Sequence, residues 1–225
     1  MAISVVAFGL YGTLVEITSL EECVRQYTPM AEALVESWRS RQVQLSNLAT
    51  TTGRYVDFDR VTLMALHEIA PRYHVKLAPH DSKRLLDAWA QLRAFPDAPF
   101  ALEAAKRRGL KIVLLTNAVE STARNALKYA QISEGFADVI SADEAQIYKP
   151  NLAVYALIGQ HCAVPPEDVA FVTAHDWDAS GARRAGFHTI WIKRGRSGQG
   201  RPERAIDDFT QFDAVLGDLV KSQPA

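Results

Sequence analysis

Cysteine is scarce in this 225-residue chain. Cys23 and Cys162 are the only two, too few for a disulfide scaffold or a four-cysteine zinc site. Net charge is nearly absent as well: 25 basic and 26 acidic residues leave −1. That balance argues against a nucleic-acid-binding protein or one held on a membrane by a polybasic patch. No run of about 18 apolar residues occurs, so no segment reads as a membrane span. The N-terminus has no basic leader followed by a small-residue cleavage site, so it does not read as a signal peptide. Together these absences predict a soluble, cytoplasmic protein.

What is present is ordinary for a globular fold. Hydrophobic residues make up 48% and charged residues 23%, which excludes wholesale disorder. At about 150 residues per domain, the length suits one compact domain with a large insertion better than two equal modules. Ile3 to Phe8 is a short β-branched apolar run followed at once by Gly9-Leu10-Tyr11-Gly12-Thr13. It reads as a buried parallel strand ending in a loop. From about Ser19 to Arg93 the apolar residues recur at helical spacing, as in Leu34, Val35 and Trp38, then Leu85, Leu86, Trp89 and Leu92. Beyond Pro96 and Pro99 strands and helices alternate. Strands are predicted at Lys111–Leu115, Val139–Ser141, Val169–Val172 and Thr189–Ile192, with helices at Ala101–Arg108, Ser121–Ala130, Leu152–Cys162 and Ala179–Ala185. Such alternation builds a parallel sheet with helices on both faces. Gly195 to Arg204 is Gly/Arg-rich and reads as a mobile loop.

The predicted architecture is therefore α/β, a Rossmann-like parallel-sheet core of residues 1–15 and 95–225 with an inserted helical cap at 16–94. The insertion leaves just after the first strand, at the carboxyl edge of the sheet, where open α/β sheets bind ligands. Four polar segments should meet there: Gly9 to Leu14, Leu115 to Ala118, Tyr148-Lys149-Pro150 with Tyr155 nearby, and Thr173 to Asp178.

These segments resemble the haloacid dehalogenase superfamily, and within it the L-2-haloacid dehalogenases. The resemblance rests on Phe8 with Leu10-Tyr11-Gly12-Thr13-Leu14, Trp38-Arg39 and Gly53-Arg54-Tyr55-Val56-Asp57-Phe58. It continues through Thr116-Asn117, Tyr148-Lys149-Pro150 with Val154-Tyr155, and Phe171-Val172 followed by Trp177-Asp178 and Gly181-Ala182. It implies a Rossmann-like core with a cap, a homodimer, and a small carboxylic acid as substrate. In that family an aspartate at the end of the first strand attacks C2 of a 2-halo acid, and water hydrolyses the resulting ester. Thr13, Thr116, Lys149, Tyr155 and Asp178 match active-site positions, Thr116 standing where serine is usual. Arg39, Phe58 and Asn117 match the region that receives the halide, and Thr173 replaces another hydroxyl residue.

The departure is at position 9. Where the resemblance calls for the attacking aspartate the chain has Gly9, which has no side chain to form an ester. His175 stands in place of asparagine and Asp176 in place of a small residue. A phosphatase reading also needs Mg²⁺ held by several carboxylate oxygens. Gly9, Tyr11 and Ala174 occupy the positions where those would be sought, so no metal and no cofactor is expected.

Each candidate carries a second reading. His175 beside carboxylates suits a general base near neutral pH, with Asp178 orienting it and Asp176 close by; or it only donates a hydrogen bond where asparagine did. Lys149 attracts a substrate carboxylate, or partners Asp178 alone. Arg39 grips an anion, or sits on a solvated helix face, and Arg41 two residues on competes for the anion-binding role. Thr13, Thr116 and Thr173 hydrogen-bond a carboxylate or a water. Asn117, Phe58, Tyr11 and Trp177 line a small pocket, or the aromatics only pack cap on core. His67, His74, His80, His161 and His188 show no ligand spacing. The expected activity is hydrolysis of a small acid with a halogen at C2, or of a strained cyclic 2-amino acid, by direct attack of water. The competing expectation is an inactive relative that binds a small carboxylate or a protein partner.

Overall fold

The computed structural model describes residues 3–194 and 204–221. The first strand, β1 (Val5–Phe8), is buried along its whole length, as befits a central parallel strand covered on both faces. The chain then runs through four helices, α1 (Leu20–Val24), α2 (Ala31–Thr52), α3 (Phe58–Ile69) and α4 (Pro79–Asp87). It returns to alternate α5 (Ala98–Arg107), β2 (Lys111–Thr116), α6 (Glu120–Tyr129), β3 (Asp138–Ser141), α7 (Leu152–Cys162), β4 (Val169–Thr173), α8 (Asp176–Arg184) and β5 (His188–Ile192). A short β6 (Arg204–Ile206) and α9 (Phe212–Lys221) close the described chain. The sheet order is β3-β2-β1-β4-β5-β6, and every pairing is parallel. No helix among the described residues is long and apolar enough to cross a membrane.

Local chemistry explains the boundaries. The Asp57 carboxylate accepts from Arg60 N at 2.9 Å and caps α3, while Asn151 caps α7 through Ala153 N at 3.0 Å. Gly53, at φ +65°, lets α2 end in the left-handed conformation. Two sequence expectations differ from the structure. The polar stretch Thr173–Asp178 is not all loop: α8 begins at Asp176, with two acidic residues in its first turn, where the helix dipole favours them. The segment read as a mobile loop lies outside the described residues at 195–203, and Arg204 opens β6 instead. That three-residue strand was too short to signal itself.

The two chain crossings into the helical insertion lie side by side. Glu16 N donates to Arg93 O (2.8 Å) and Phe95 N to Leu14 O (2.9 Å). An aromatic column then joins the insertion to the loop after β1. Tyr11 meets Trp89 edge-on at 5.0 Å, and Trp89 meets Trp38 at 5.3 Å. Both indoles are essentially fully buried, and such large aromatic side chains contribute heavily to packing.

Candidate active site

The carboxyl ends of β1, β2 and β4 converge on a cavity of about 20 Å³. Gly9, Leu10 and Tyr11 reach it from β1, Thr116 and Asn117 from β2, and Arg39 and Phe58 from the insertion. Lys149, His175, Trp177 and Asp178 complete the lining. A single water needs roughly 10–15 Å³, so this partly open cavity has room for about one solvent-sized guest.

A buried ion pair forms its floor. Lys149 Nζ lies 2.8 Å from Asp178 Oδ2, with 5% and 1% of the two side chains exposed. Such a pair persists only when its remaining donors and acceptors are met, and here most are. Tyr155 OH donates to Asp178 Oδ1 (2.6 Å), Thr173 Oγ1 donates to Oδ2 (3.1 Å), and Lys149 Nζ also donates to Leu115 O (3.0 Å). Burial pushes the Lys149 ammonium below the usual lysine range, opposed by the Asp178 charge and hydrogen bond. Burial likewise holds the Tyr155 phenol protonated, so it serves as a donor to Asp178.

His175 caps the start of α8. Its Nε2 lies 2.9 Å from Tyr11 O; a carbonyl only accepts, so Nε2 carries the proton and Nδ1 is the basic nitrogen of the neutral ring. The ring stacks on Trp177 at 5.4 Å and 13°. The expected His175–Asp178 couple is arranged differently. The Asp178 carboxylate turns into the core toward Lys149 and Tyr155, because it sits on the inner face of the first turn of α8. It reaches His175 through Thr173, whose Oγ1 accepts from His175 N at 3.2 Å. Asp176, placed beside His175 by the sequence, faces solvent on that same turn and caps Trp177 N at 2.7 Å.

Arg39 and Arg41 separate clearly. Arg41 pairs with Glu68 on the surface (2.6 Å), while Arg39 enters the cavity over the rings of Tyr11 and Trp89 at 5.8 and 6.0 Å. Its Nη1 donates to Gln42 Oε1 (2.5 Å), and Gln42 Nε2 to Thr62 Oγ1 (2.6 Å). Asn117 Oδ1 accepts from Lys149 N (2.9 Å), locking the β2 loop to the lysine. Thr116 Oγ1 accepts from Ala118 N (3.1 Å) and Thr13 Oγ1 from Ala174 N (3.0 Å). Thr13 and Thr173 flank Gly9 just beneath the lining: a Cβ built on Gly9 would meet their hydroxyl oxygens at 3.2 and 3.4 Å.

Two features escaped the sequence. The N–H groups of Leu10, Tyr11 and Asn117, all on cavity-lining residues, find no acceptor among the described residues. Backbone amides carry no residue-type signal; only the placement of these loops at strand ends hinted at them. Arg194 was also missed. Its Nη1 pairs with both oxygens of Asp97 (2.8 and 2.7 Å) and its Nη2 donates to Thr13 O (2.9 Å).

Fold and site together define an α/β protein whose sheet edge gathers cations, amides and an imidazole around a small, partly open cavity. The chain belongs to the haloacid dehalogenase-like hydrolase family, whose model matches residues 3–186. It is 33% identical over 190 residues to an (S)-2-haloacid dehalogenase of Pseudomonas sp. strain YL, covering 84% of this chain and 82% of that one. It is 36% identical over 188 residues to (S)-2-haloacid dehalogenase 1 of Pseudomonas sp. strain CBS-3, covering 83% of each. Among solved structures, the L-2-haloacid dehalogenase of Xanthobacter autotrophicus with chloropropionic acid covalently bound superposes with a TM-score of 0.90. That match has 24% identity over 96% of this chain and 98% of that one, and it shows the shared fold.

Proposed function

We propose that this chain hydrolyses a small 2-substituted carboxylic acid, a 2-halo acid or a strained cyclic 2-amino acid, by direct attack of water on C2. The observation that carries this reading is the pairing of a side-chain-less Gly9 with an oriented imidazole on one cavity wall. The two cations Lys149 and Arg39 outnumber the single lining carboxylate, Asp178, so the cavity favours a monoanion. The substrate carboxylate is received by the free amides of Leu10, Tyr11 and Asn117 with the Thr116 hydroxyl, a donor set suited to a planar anion. Phe58 and Trp177 cover its apolar part.

Water then attacks C2 and passes its proton to Nδ1 of His175. The C2–halogen bond breaks, and the halide leaves toward Arg39; in the cyclic acid the ring C–N bond breaks instead. Thr173 and Asp178 steady the backbone that carries the imidazole. Residues 16–94 act as the cap in this reading. A halo acid exceeds the cavity of about 20 Å³, and in this reading the insertion shifts against its core contacts, Tyr148 OH to Val56 O and Thr122 Oγ1 to Asp59 Oδ2 (2.9 Å), to admit it.

The test is halide release, or ring opening, by the intact protein and by His175→Ala. Loss of a general base lowers turnover roughly 10²- to 10⁴-fold, while binding of the substrate persists. Full turnover without His175 contradicts the base. Absent turnover in the parent chain, with carboxylate binding retained, identifies a non-catalytic binder instead.

A further inference from the structure

The insertion carries a chain of polar side chains through its own apolar interior. Gln42 on α2 and Thr62 on α3 are 0% and 2% exposed, and neither is among the residues that line the cavity. They lie between two residues that are: Arg39, three positions before Gln42 on α2, and Phe58, which opens α3. Arg39 Nη1 donates to Gln42 Oε1 (2.5 Å), Gln42 Nε2 to Thr62 Oγ1 (2.6 Å), and Thr62 Oγ1 to Phe58 O (2.7 Å). The two ends fix the direction of every bond. A guanidinium only donates and a carbonyl only accepts, so the Gln42 amide cannot turn over without setting donor against donor at Arg39.

Such a chain gives little net stability. A buried amide recovers little more than its desolvation cost through hydrogen bonds, and apolar side chains of the same shape fill such space about as well. What it supplies is direction. The rings of Tyr11 and Trp89 lie against the Arg39 guanidinium at 5.8 and 6.0 Å and attract its charge; the hydrogen bond to Gln42 fixes the rotation of its plane.

We propose that Gln42 and Thr62 are positioning residues for departure of the leaving group. They hold the Arg39 guanidinium at the angle that receives the halide, and they tie it to the start of α3, where Phe58 reaches the cavity. The inference rests on the reading of Arg39 as the group toward which the halide leaves. All four residues belong to the insertion, so the leaving-group side of the site is assembled apart from the sheet edge that carries His175. The guanidinium acts on the charge that develops on the halogen as the bond to C2 breaks, and a donor already in place needs no reorganisation at that moment. Its effect falls on kcat and grows as the leaving group becomes poorer.

Halide binding tests this apart from turnover. Chloride is titrated, by ³⁵Cl line broadening at constant ionic strength, into the intact parent chain, Gln42→Leu, Thr62→Val, Thr62→Ser and Arg39→Met. Affinity should fall about tenfold in Gln42→Leu, because the bond that orients a charged group is lost. Thr62→Val keeps the volume and loses the hydroxyl; Thr62→Ser keeps the hydroxyl and loses the methyl. The valine variant should bind chloride about threefold more weakly, and the serine variant should match the parent; a side chain that serves packing alone reverses that order and overturns the proposal. In turnover, Gln42→Leu should lower kcat more for 2-chloropropionate than for 2-bromopropionate, with KM little changed; an equal loss for both halides overturns it as well. Chloride binding that is lost in Arg39→Met but equal in the parent, Gln42→Leu and Thr62→Val overturns the positioning role and leaves the reading of Arg39 standing. Binding that survives Arg39→Met, or is absent from the parent, overturns that reading and the proposal with it.

Discussion

Two buried ion pairs lie at the carboxyl edge of the sheet, and they are built for different ends. Lys149–Asp178 is almost wholly enclosed, yet its lysine keeps a proton to give and its neighbours Thr13 and Thr116 keep hydroxyl protons. Arg194–Asp97 is less buried, at 10% and 15% exposure, and its guanidinium is gripped by aromatic rings. The guanidinium lies between the rings of Phe95 at 3.7 Å and Phe209 at 4.7 Å. Asp97 Oδ2 also accepts from Phe209 N at 2.8 Å. The flat, delocalised charge of arginine suits such stacking, whereas a compact ammonium suits a cavity where it meets a changing partner. In the proposed reading the first pair faces a site for an anion; the second ties Thr13 O to the junction where the insertion leaves the core.

The comparison sets the order of the expected losses. Lys149→Met leaves Asp178 buried with Tyr155 and Thr173 but no countercharge. It should cost about 3–5 kcal/mol of folding free energy, read from urea unfolding. Arg194→Met leaves Asp97 partly hydrated and still bonded to Phe209 N, so a smaller cost of about 1–3 kcal/mol is expected. Equal losses from the two variants would erase the distinction between site and clamp. Tyr155→Phe removes one donor from Asp178 while Lys149 and Thr173 remain, and the same assay should show about 1–2 kcal/mol.

The smallest effect lies away from the sheet edge and sharpens the comparison with an exposed pair. His161 bridges Asp138 and Glu144 at 2.8 Å each, and its hydrogen bond to Asp138, then that to Glu144, raises its pKa above the usual histidine range. A histidine with a raised folded pKa contributes stability that is complete below the unfolded value near 6.5 and fades as pH rises through the folded value. The group is substantially solvent-exposed, so screening limits the contribution to under about 1 kcal/mol. His161→Gln should therefore be less stable than the parent at pH 6 and equal to it at pH 9. An unchanged difference across that range would contradict the bridge.

The fold was legible where burial writes itself into residue type. Val5–Phe8, Ile112–Thr116 and Val169–Thr173 are continuous apolar or β-branched runs because central parallel strands are covered on both faces. The helical insertion was legible from the spacing of Leu34, Trp38, Leu85 and Trp89. The convergence of Thr13, Thr116, Lys149 and Asp178 followed from their place after strands and from the family resemblance. Pair identities were legible only as alternatives. The sequence offers Asp178 both to His175, three residues away, and to Lys149; a carboxylate on the inner face of a helix turns to the nearest buried cation, and that is Lys149, 29 residues away in sequence. Arg194 and Asp97, 97 residues apart, form a single contact with no periodicity to betray it.

The central claim is that the chain takes no substrate covalently at the end of β1. A single turnover of 2-chloropropionate in H₂¹⁸O, with protein in excess, tests this most directly when product and intact protein are weighed together. The account predicts ¹⁸O on C2 of the product in that first turnover and a protein mass that never changes. Label retained in the protein, or a transient mass increase equal to the dehalogenated acid, would contradict it.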